Sequence, residues 1–311
     1  MNPEYPLVSV IMATYNRAGT IERAIDSVLK QSYTNIELII IDDGSSDNTN
    51  EILNRFKDSR IRIFKHEKNK GVCAAKNTGL RAIKGEWFTT FDSDDEMIPE
   101  AIESMISIPL SFDKSITAVT CNGLDTSTNN FTGKGFTEDQ YLDIDTLMTS
   151  YEGDFWGLTK TSLLLNDRFN ENISGLESVL WYKIDDRAKR YYIHKQLIIV
   201  HTEGQDRISN TKYDFNKEKK FYTNLIDEAH YLNKIKKYFP DYFISLCRTG
   251  LIVTRVNHNM NIATKYYEYL NNTKKSIINK LIYNYWLVAL LINKIQIVEL
   301  LINPYIKAFL K

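Results

Sequence analysis

Short apolar runs alternate with helical patterns over the first hundred positions of the chain. Each run is rich in aliphatic and aromatic residues and has the length of a strand, and the first two are typical of buried strands. These runs are Leu7–Met12, Ile36–Ile41, Ile61–Lys65 and Trp87–Phe91. Between them, apolar residues recur at helical spacing. The predicted helices cover residues 21–29, with Thr20 as the N-cap, 48–56 and 72–83.

Strands and helices in alternation predict a parallel sheet covered on both faces, because parallel strands need crossover connections. Ligands of such sheets bind outside the carboxyl ends of the strands. Polar loops follow three of the predicted strands, at residues 14–19, 42–47 and 92–95. We therefore expect three separate loops to meet in one cleft.

The rest of the chain divides into two parts. The elements predicted beyond Pro99 are a helix to about residue 108, a strand at 116–121, a polar surface excursion or hairpin at 123–140, an ordered segment from 155, a helix after Glu177 and a strand from Tyr191 to His201. From about Phe215 helical patterns follow one another, with breaks near Pro240, 257–261 and 271–273. We expect an α/β domain over residues 1–210 and a helical region over residues 211–311.

Composition and charge refine this picture. The chain has 311 residues, 43% hydrophobic and 25% charged, which is typical of globular proteins and argues against a disordered or multi-span membrane protein. The formal charge is zero, but residues 211–311 carry 16 basic and 7 acidic side chains, whereas residues 1–210 carry 23 and 32. The late apolar stretch Tyr285–Ile302 includes Lys294 and Glu299, which is wrong for a lipid-exposed span.

The cysteines and the first residues indicate the cellular compartment of the protein. Cys73, Cys121 and Cys247 are few and far apart, which argues against a disulfide framework or a cysteine zinc site and fits a reducing compartment. The first residues lack a basic region, and Val8–Ala13 is too short for the core of a signal peptide. We expect a cytoplasmic protein.

An acidic cluster follows the predicted strand that ends at Phe91. Asp92, Asp94 and Asp95 repel one another unless a cation joins them, and hard oxygen ligands suit Mg²⁺ or Mn²⁺. These ions fill their remaining positions with water and substrate phosphates. The alternative is a solvated acidic turn that opens the next helix, where aspartate is also favoured.

Several further motifs occur in order around this cluster. The set is Val8-Ser9-Val10-Ile11, Thr14-Tyr15-Asn16-Arg17, Ile41-Asp42-Asp43-Gly44-Ser45-Ser46-Asp47, Asn69-Lys70-Gly71, Ala75-Lys76-Asn77-Thr78-Gly79, and Asp92-Ser93-Asp94-Asp95 with Pro99. Together they resemble the inverting family 2 glycosyltransferases of the GT-A fold, over roughly residues 6–210. The resemblance implies an α/β fold, Rossmann-like with a mostly parallel sheet and helices on both faces, followed by a C-terminal helical region.

The resemblance also implies a function. A hexosyl- or N-acetylhexosaminyltransferase of this family would use Mn²⁺ or Mg²⁺ to neutralise the leaving diphosphate of a nucleotide-sugar donor, which we expect to be a UDP-sugar. The implied acceptor is a hydroxyl of a surface glycan or wall polymer, and many acceptors of the family are lipid-linked. We expect no nucleic-acid partner.

Residue roles follow from the same resemblance. Asp94 and His201 would hold the metal. Glu177 would be the general base, with Asp95 as a second catalytic candidate close to the donor sugar. Asp42 would accept the imide hydrogen of uracil, because a carboxylate accepts from N–H groups. The residues expected to contact the nucleotide and diphosphate are Thr14, Tyr15, Asn16, Asp42, Lys76, Asp92, Ser93, Arg207 and Ser209, the last two on a segment that closes over the diphosphate.

Three positions depart from the family pattern. Ala13 stands where the family commonly has Pro, and Lys76 stands where it has Arg, which keeps the charge but loses the bidentate fork. The family's Glu-Asp pair, whose Asp is usually the base, appears here as Glu177-Ser178. Either Glu177 takes over the role or the base lies elsewhere.

Alternatives remain open at this point. A sugar-1-phosphate nucleotidyltransferase shares the nucleotide fold and acidic metal site, but it needs a glycine-rich basic loop after the first strand, where this chain offers only Arg17. A non-catalytic nucleotide- or glycan-binding module is the other alternative. The basic C-terminal region has two competing uses, contact with an anionic membrane surface and packing against a second subunit. His66, like the remaining histidines, has no ligand spacing and is expected to be a filler.

Overall fold

The computed structural model of the chain describes residues 5–150, 152–173, 175–202, 215–271 and 277–284. The chain divides into two compact units. The first contains Met1–Glu171 and Leu180–Gln205, and the second contains Asn172–Val179 and Asp206–Lys311. The short segment Asn172–Val179 thus groups with the later helices rather than with the sheet.

The first unit is built on strands separated by short helices. The strands are β1 (Val8–Thr14), β2 (Ile36–Asp42), β3 (Ile61–Lys65), β4 (Trp87–Thr90), β5 (Glu96–Met97), β6 (Ala118–Asp125), β7 (Asn130–Phe131), β8 (Gly133–Lys134), β9 (Gln140–Leu142), β10 (Glu152–Gly153), β11 (Phe155–Lys160) and β12 (Arg190–Val200). The helices are α1 (Ile21–Leu29), α2 (Thr49–Leu53), α3 (Val72–Ala82), α4 (Ala101–Ser107), α5 (Ile144–Ser150) and α6 (Ser178–Asp185), whose first two residues group with the second unit. A π-helical turn, Ile108–Phe112, follows α4, and a 3-10 turn covers Thr161–Leu163.

The main sheet confirms the predicted α/β fold. Its strand order is β3-β2-β1-β4-β11-β6-β12-β5, and β1 pairs in parallel with both β2 and β4. Strand β11 runs antiparallel between β4 and β6, so the sheet is mixed, while β6 and β12 are parallel to each other. Strands β1, β2, β4, β6 and β12 therefore all end at the same edge of the sheet.

Strands β1 and β2 are buried on both faces, which explains why they are continuous apolar runs. On one face Val10 and Met12 of β1 pack with Ile25 of α1 in a large core. On the other face Ile11 and Ile39 pack with Leu80 and its neighbours on α3. Each such side chain contributes on the order of 1.5–3 kcal/mol when removed from water.

One local expectation needs correction. Thr20 stands at the N-cap of α1, but its hydroxyl makes no capping hydrogen bond and donates instead to the carbonyl oxygen of Ser93, 3.0 Å away. This partner is distant in sequence, so the local pattern does not contain it. The hairpin expected as one alternative for residues 123–140 is confirmed, because β7 pairs antiparallel with β6, and β8 and the start of β9 follow it.

From Phe215 on, the second unit is helical in the residues described. Its helices are α7 (Phe215–Leu225), α8 (Ala229–Tyr238), α9 (Pro240–Val256), α10 (Met260–Asn271) and α11 (Ile277–Asn284). The ends of α8 and α9 fall at the predicted breaks near Pro240 and 257–261, whereas the break between α7 and α8 was not predicted. Leu251 and Ile252 of α9 and Tyr266 of α10 are fully buried. Within the described residues, no helix has the length and hydrophobicity to cross a membrane. The stretch Tyr285–Ile302 lies outside the described residues.

Candidate active site

The loops after β1 and β2 are joined through Asn16. Its side-chain oxygen accepts from the main-chain N–H of Ser46 at 2.8 Å, and its own N–H donates to the hydroxyl of Ser45 at 2.9 Å. Asn16 has a φ of 51°, a left-handed conformation that asparagine tolerates better than most residues. The first two of the predicted loops therefore meet.

Asp42 ends β2 and is fully buried. Its carboxylate accepts from the Ser45 N–H at 2.9 Å and from the Asn50 side-chain amide at 2.6 Å. Each carboxylate oxygen has a second lone pair, so these bonds leave acceptor capacity for a base N–H. The base-binding role expected for Asp42 thus stays a prediction. Its hydrogen bond with Ser45 also fixes the loop that follows β2.

Asp43 connects a further segment to the cleft. Its carboxylate accepts from the main-chain N–H groups of Lys70 at 2.9 Å and Gly71 at 2.8 Å, and lies 2.6 Å from His66 Nδ1. The second ring nitrogen of His66 is 3.0 Å from the Thr78 hydroxyl on α3. His66 is therefore not a filler, because it links Asp43 to the helix that carries Lys76.

The acidic loop lies next to α1 and α3. Asp92 has a 65% exposed side chain, and the ammonium of the buried Lys76 is 3.8 Å from its carboxylate. Asp94 is half-buried, with Arg17 Nε 3.7 Å from its Oδ2. The Arg23 guanidinium donates to the main-chain oxygen of Asp94 at 2.6 Å. Basic side chains thus face this cluster of carboxylates.

His201 follows β12 and meets the same acidic loop. Its main-chain N–H donates to Asp95 Oδ1 at 3.0 Å, and its Nε2 is 2.6 Å from Glu96 Oε1. Asp95 is buried, with 8% of its surface exposed, and its hydrogen bond fixes the backbone that follows β12. The structure brings both residues expected to hold a metal, Asp94 and His201, to this edge.

Two other expected residues, Thr14 and Tyr15, occupy the same edge, together with Trp156 of β11. Thr14 is buried, and its hydroxyl oxygen has no hydrogen-bond partner in the part of the chain that the structure describes. Tyr15 is 42% exposed and can present its ring to a ligand. Trp156 is buried, donates its indole N–H to the Thr90 carbonyl at 3.1 Å and packs edge-on to Phe91. It supports the strand that leads into the acidic loop.

Comparison with known proteins identifies the family. The family model for glycosyl transferase family 2 matches residues 9–163. A GalNAc(5)-diNAcBac-PP-undecaprenol beta-1,3-glucosyltransferase of Campylobacter jejuni is 34% identical over 212 residues, which are 66% of this chain and 67% of that enzyme. The chain belongs to glycosyltransferase family 2.

Two further proteins are similar to this glycosyltransferase. The UDP-Glc:alpha-D-GlcNAc-diphosphoundecaprenol beta-1,3-glucosyltransferase WfgD of Escherichia coli is 46% identical over 104 residues, covering 33% of this chain but only 41% of that enzyme. TarS of S. aureus, solved with UDP-GlcNAc, superposes with a TM-score of 0.63 over 89% of this chain and 78% of its own, at 16% identity. At that identity the match supports the GT-A fold alone.

Family membership decides between the alternatives drawn from sequence. This glycosyltransferase is an enzyme, and neither a nucleotidyltransferase nor a non-catalytic module is supported. Glu177 is half-buried and immediately precedes α6, in the segment that groups with the second unit. Arg207 and Ser209 lie outside the described residues. The roles expected of these three residues stay predictions.

Sequence reasoning missed three residues of this glycosyltransferase's cleft. Asp43, Arg23 and Glu96 hold its loops together, yet none was assigned a role. Asp43 is next to Asp42 and Glu96 is next to Asp95, so the neighbouring candidate residue could have indicated each of them. Arg23 lies in a helical pattern and gave no signal.

Proposed function

We propose that this glycosyltransferase transfers glucose from UDP-glucose, with inversion, to a hydroxyl of a polyprenyl-diphosphate-linked glycan. The observation that carries the proposal is that the loops 14–19, 42–47 and 92–95 meet. Hydrogen bonds join Asn16 with Ser45 and Ser46, and Arg17 faces the carboxylate of Asp94. Such a strand-end cleft is where α/β proteins bind nucleotides. Thr14, Tyr15 and Asp42 would receive the base and ribose, and Lys76 would face the diphosphate.

The donor and acceptor are inferred from the named relatives. The C. jejuni and E. coli relatives are both beta-1,3-glucosyltransferases, and the name of each includes a glycan linked to undecaprenol through diphosphate. The name of the E. coli enzyme also gives UDP-Glc as the donor. The E. coli enzyme is matched over less than half its length. We therefore infer the donor and the acceptor class for this chain as a proposal, with a HexNAc sugar as the unit that receives glucose.

Asp94 and His201 are the residues that would hold Mn²⁺ or Mg²⁺. Among the described residues, no three His, Cys, Asp or Glu side chains converge to hold an ion by themselves. Two protein ligands, one carboxylate and one imidazole, fit a cation that takes its other ligands from the donor diphosphate and water. The cation would neutralise charge on the leaving diphosphate. Lys76 and Arg17 add positive charge on the protein side of the same loop.

Inversion requires a base on the face of the sugar opposite the diphosphate. We infer that Glu177 takes the proton from the acceptor hydroxyl, because the neighbouring Ser178 does not accept a proton at neutral pH. Asp95 is the competing candidate. Its Oδ1 accepts from the His201 main chain, and this hydrogen bond favours a positioning role for it. Arg207 and Ser209 would close over the diphosphate after the donor binds.

A transfer assay tests the proposal. Radiolabelled UDP-glucose, UDP-galactose, UDP-GlcNAc and UDP-GalNAc are each offered with a synthetic lipid-diphosphate GlcNAc acceptor, with manganese or with a chelator. We expect transfer from UDP-glucose to exceed the others, to stop with the chelator and to fall by about a hundredfold or more in Asp94→Ala. Glu86→Ala is the matched control, because Glu86 precedes β4 at the opposite edge of the sheet and is 60% exposed.

Different results would contradict the proposed donor, the proposed metal and the proposed inversion. A higher rate with another UDP-sugar would remove glucose as the donor, and an undiminished rate with the chelator or in Asp94→Ala would remove the metal assignment. The anomeric coupling constant of the product, read by NMR, reports inversion. A product that retains the donor configuration would exclude the proposed displacement.

A further inference from the structure

The two-residue strand β5 brings Glu96 to the end of β12. It pairs antiparallel with β12, with Glu96 opposite Ile199, two residues before His201. The preceding residue, Asp95, accepts the main-chain N–H of His201 at 3.0 Å, and Glu96 Oε1 is 2.6 Å from the ring Nε2. Two consecutive acidic residues therefore hold the backbone and the ring of one histidine.

The contact with Glu96 determines which ring nitrogen remains available. An ionised carboxylate only accepts hydrogen bonds, so His201 Nε2 carries a proton and donates it to Glu96. The lone pair of the neutral ring is then on Nδ1. Within the described residues Nδ1 makes no hydrogen bond of its own. A histidine held in this way is prepared to coordinate a cation through Nδ1.

Arg23 ties this contact to the other expected metal ligand. Its Nε is 3.3 Å from Glu96 Oε1, and its NH2 group donates to the main-chain oxygen of Asp94 at 2.6 Å. Glu96 thus lies between the imidazole of His201 and the guanidinium of Arg23. The same guanidinium holds the backbone of the residue that would supply the carboxylate ligand, so the positions of Asp94 and His201 depend on one another.

We propose that Glu96 is a positioning residue for the divalent cation, which fixes the orientation and tautomer of His201 so that Nδ1 is the ligand. This inference rests on the metal dependence in the proposed function. Carboxylates that accept the second N–H of a metal-binding histidine commonly change metal affinity tenfold to a hundredfold when removed. We assign Glu96 to the ring rather than to the cation, because its Oε1 already faces His201 Nε2 at 2.6 Å and Arg23 Nε at 3.3 Å.

Manganese affinity provides the first test. Binding is measured in the presence of UDP from the electron paramagnetic resonance signal of free Mn²⁺, and UDP affinity without metal is measured by calorimetry. We expect Glu96→Ala to weaken manganese binding about tenfold to a hundredfold and Glu96→Gln to retain most of it, because the Gln carbonyl oxygen still accepts from Nε2–H. Glu86→Ala, the control at the opposite edge, and metal-free UDP binding should not change.

The double variant separates positioning from independent effects. If Glu96 acts through His201, Glu96→Ala adds little to the loss already caused by His201→Ala. Additive losses would overturn the proposal, and so would wild-type affinity in Glu96→Ala. Equal losses in Glu96→Gln and Glu96→Ala would instead make Glu96 a direct ligand and likewise overturn it.

The tautomer is read directly by NMR, without metal or substrate. Long-range ¹H–¹⁵N spectra of protein labelled at its five histidines assign His201 by its absence in His201→Ala. For the neutral ring, we expect His201 to be protonated on Nε2 in the wild type and to be a mixture of tautomers in Glu96→Ala. A ring protonated on Nδ1 in the wild type would contradict the proposal. Absence of sugar transfer by the wild-type protein, with manganese binding and the His201 tautomer as expected, would refute the proposed function alone.

Discussion

Single buried carboxylates hold the cleft at the scale of the residue. Asp42, Asp43 and Asp95 each accept hydrogen bonds from main-chain N–H groups of a loop or strand end. Burying a charge is costly unless it is paired or hydrogen-bonded, so the donors around each carboxylate are a condition of its burial. The same bonds fix the backbone of the segments that would contact the donor.

Glu37 is a buried carboxylate away from the cleft, near the start of β2. Its side chain accepts from the Ser9 hydroxyl at 2.6 Å, from Arg62 at 2.8 Å and from the Lys84 N–H at 2.7 Å. Burial raises the pKa of Glu37, but these hydrogen bonds and the Arg62 charge outweigh it and hold the pKa below its usual 4.5. The group therefore stabilises the folded state when ionised.

We expect the contribution of Glu37 to be complete above the usual glutamate pKa and to be lost as the pH falls through its lowered folded-state pKa. Glu37→Gln should lower the free energy of unfolding near neutral pH by about 1–3 kcal/mol. Urea unfolding of both proteins across acidic pH measures the difference, which should shrink as the pH falls. A difference that is independent of pH would exclude this carboxylate as a source of acid sensitivity.

The proposed base gives the second prediction at this scale. Glu177→Gln keeps the size of the side chain and removes its basicity, so sugar transfer should fall roughly a hundredfold to ten-thousandfold. Metal-free UDP affinity should stay near that of the wild type. Asp95→Asn is the paired variant. If transfer survives in Glu177→Gln but is lost in Asp95→Asn with donor and metal binding intact, Asp95 rather than Glu177 is the base.

At the scale of elements, short loops at strand ends pack directly on one another. Gly44 has a φ of 75°, and a Cβ there would lie 2.6 Å from the main-chain carbon of Lys68. Only glycine combines this left-handed conformation with so close an approach. The loop after β2 can therefore rest on the segment that Asp43 holds. Gly71, at the start of α3, has a φ of 95° but open space at the Cβ position.

This pair of glycines separates backbone strain from steric exclusion. Gly44→Ala and Gly71→Ala both force a positive φ on alanine, which costs on the order of 1–2 kcal/mol. Only Gly44→Ala also drives a methyl group into backbone, so we expect it to unfold at lower urea concentration and to bind UDP more weakly than Gly71→Ala. Equal stability of the two variants would mean that the loops can separate without cost.

At the scale of the whole molecule, the two units differ in charge. The second unit exposes Lys217, Lys219 and Lys220 on α7 and Lys236 and Lys237 on α8. Clustered lysines attract anionic lipid headgroups, worth about 1 kcal/mol for each residue near the surface. A peripheral membrane contact of this unit would fit the lipid-linked acceptor proposed above. The competing use of these lysines is packing against a second subunit.

Liposome flotation distinguishes these uses. We expect the protein to float with vesicles containing phosphatidylserine at low salt, to dissociate at high salt, and to bind less when Lys219, Lys220, Lys236 and Lys237 are replaced by Glu. Neutral vesicles are the control. No flotation with anionic vesicles, together with a dimer in sedimentation that the same substitutions dissociate, would favour the subunit interface.

The sequence alone determined the alternation of strands and helices, the polar loops that follow the strands and the family. Strands, helices and loops are recognised from local periodicity, and the family from motifs only a few residues long. The central strands are buried on both faces, so they appear in the sequence as apolar runs. The sequence also placed Asp42, Asp94 and His201 at the carboxyl edge before the fold was known.

Only the tertiary structure decided how those loops are held and where the chain divides. The antiparallel insertion of β11 between β4 and β6, and the grouping of Asn172–Val179 with the helical unit, have no local pattern. Glu96 and His201 are 105 positions apart, and their contact exists because β5 pairs with β12. Hydrophobic periodicity records which face of an element is buried, whereas partners this distant are chosen by packing and hydrogen bonding across the whole sheet.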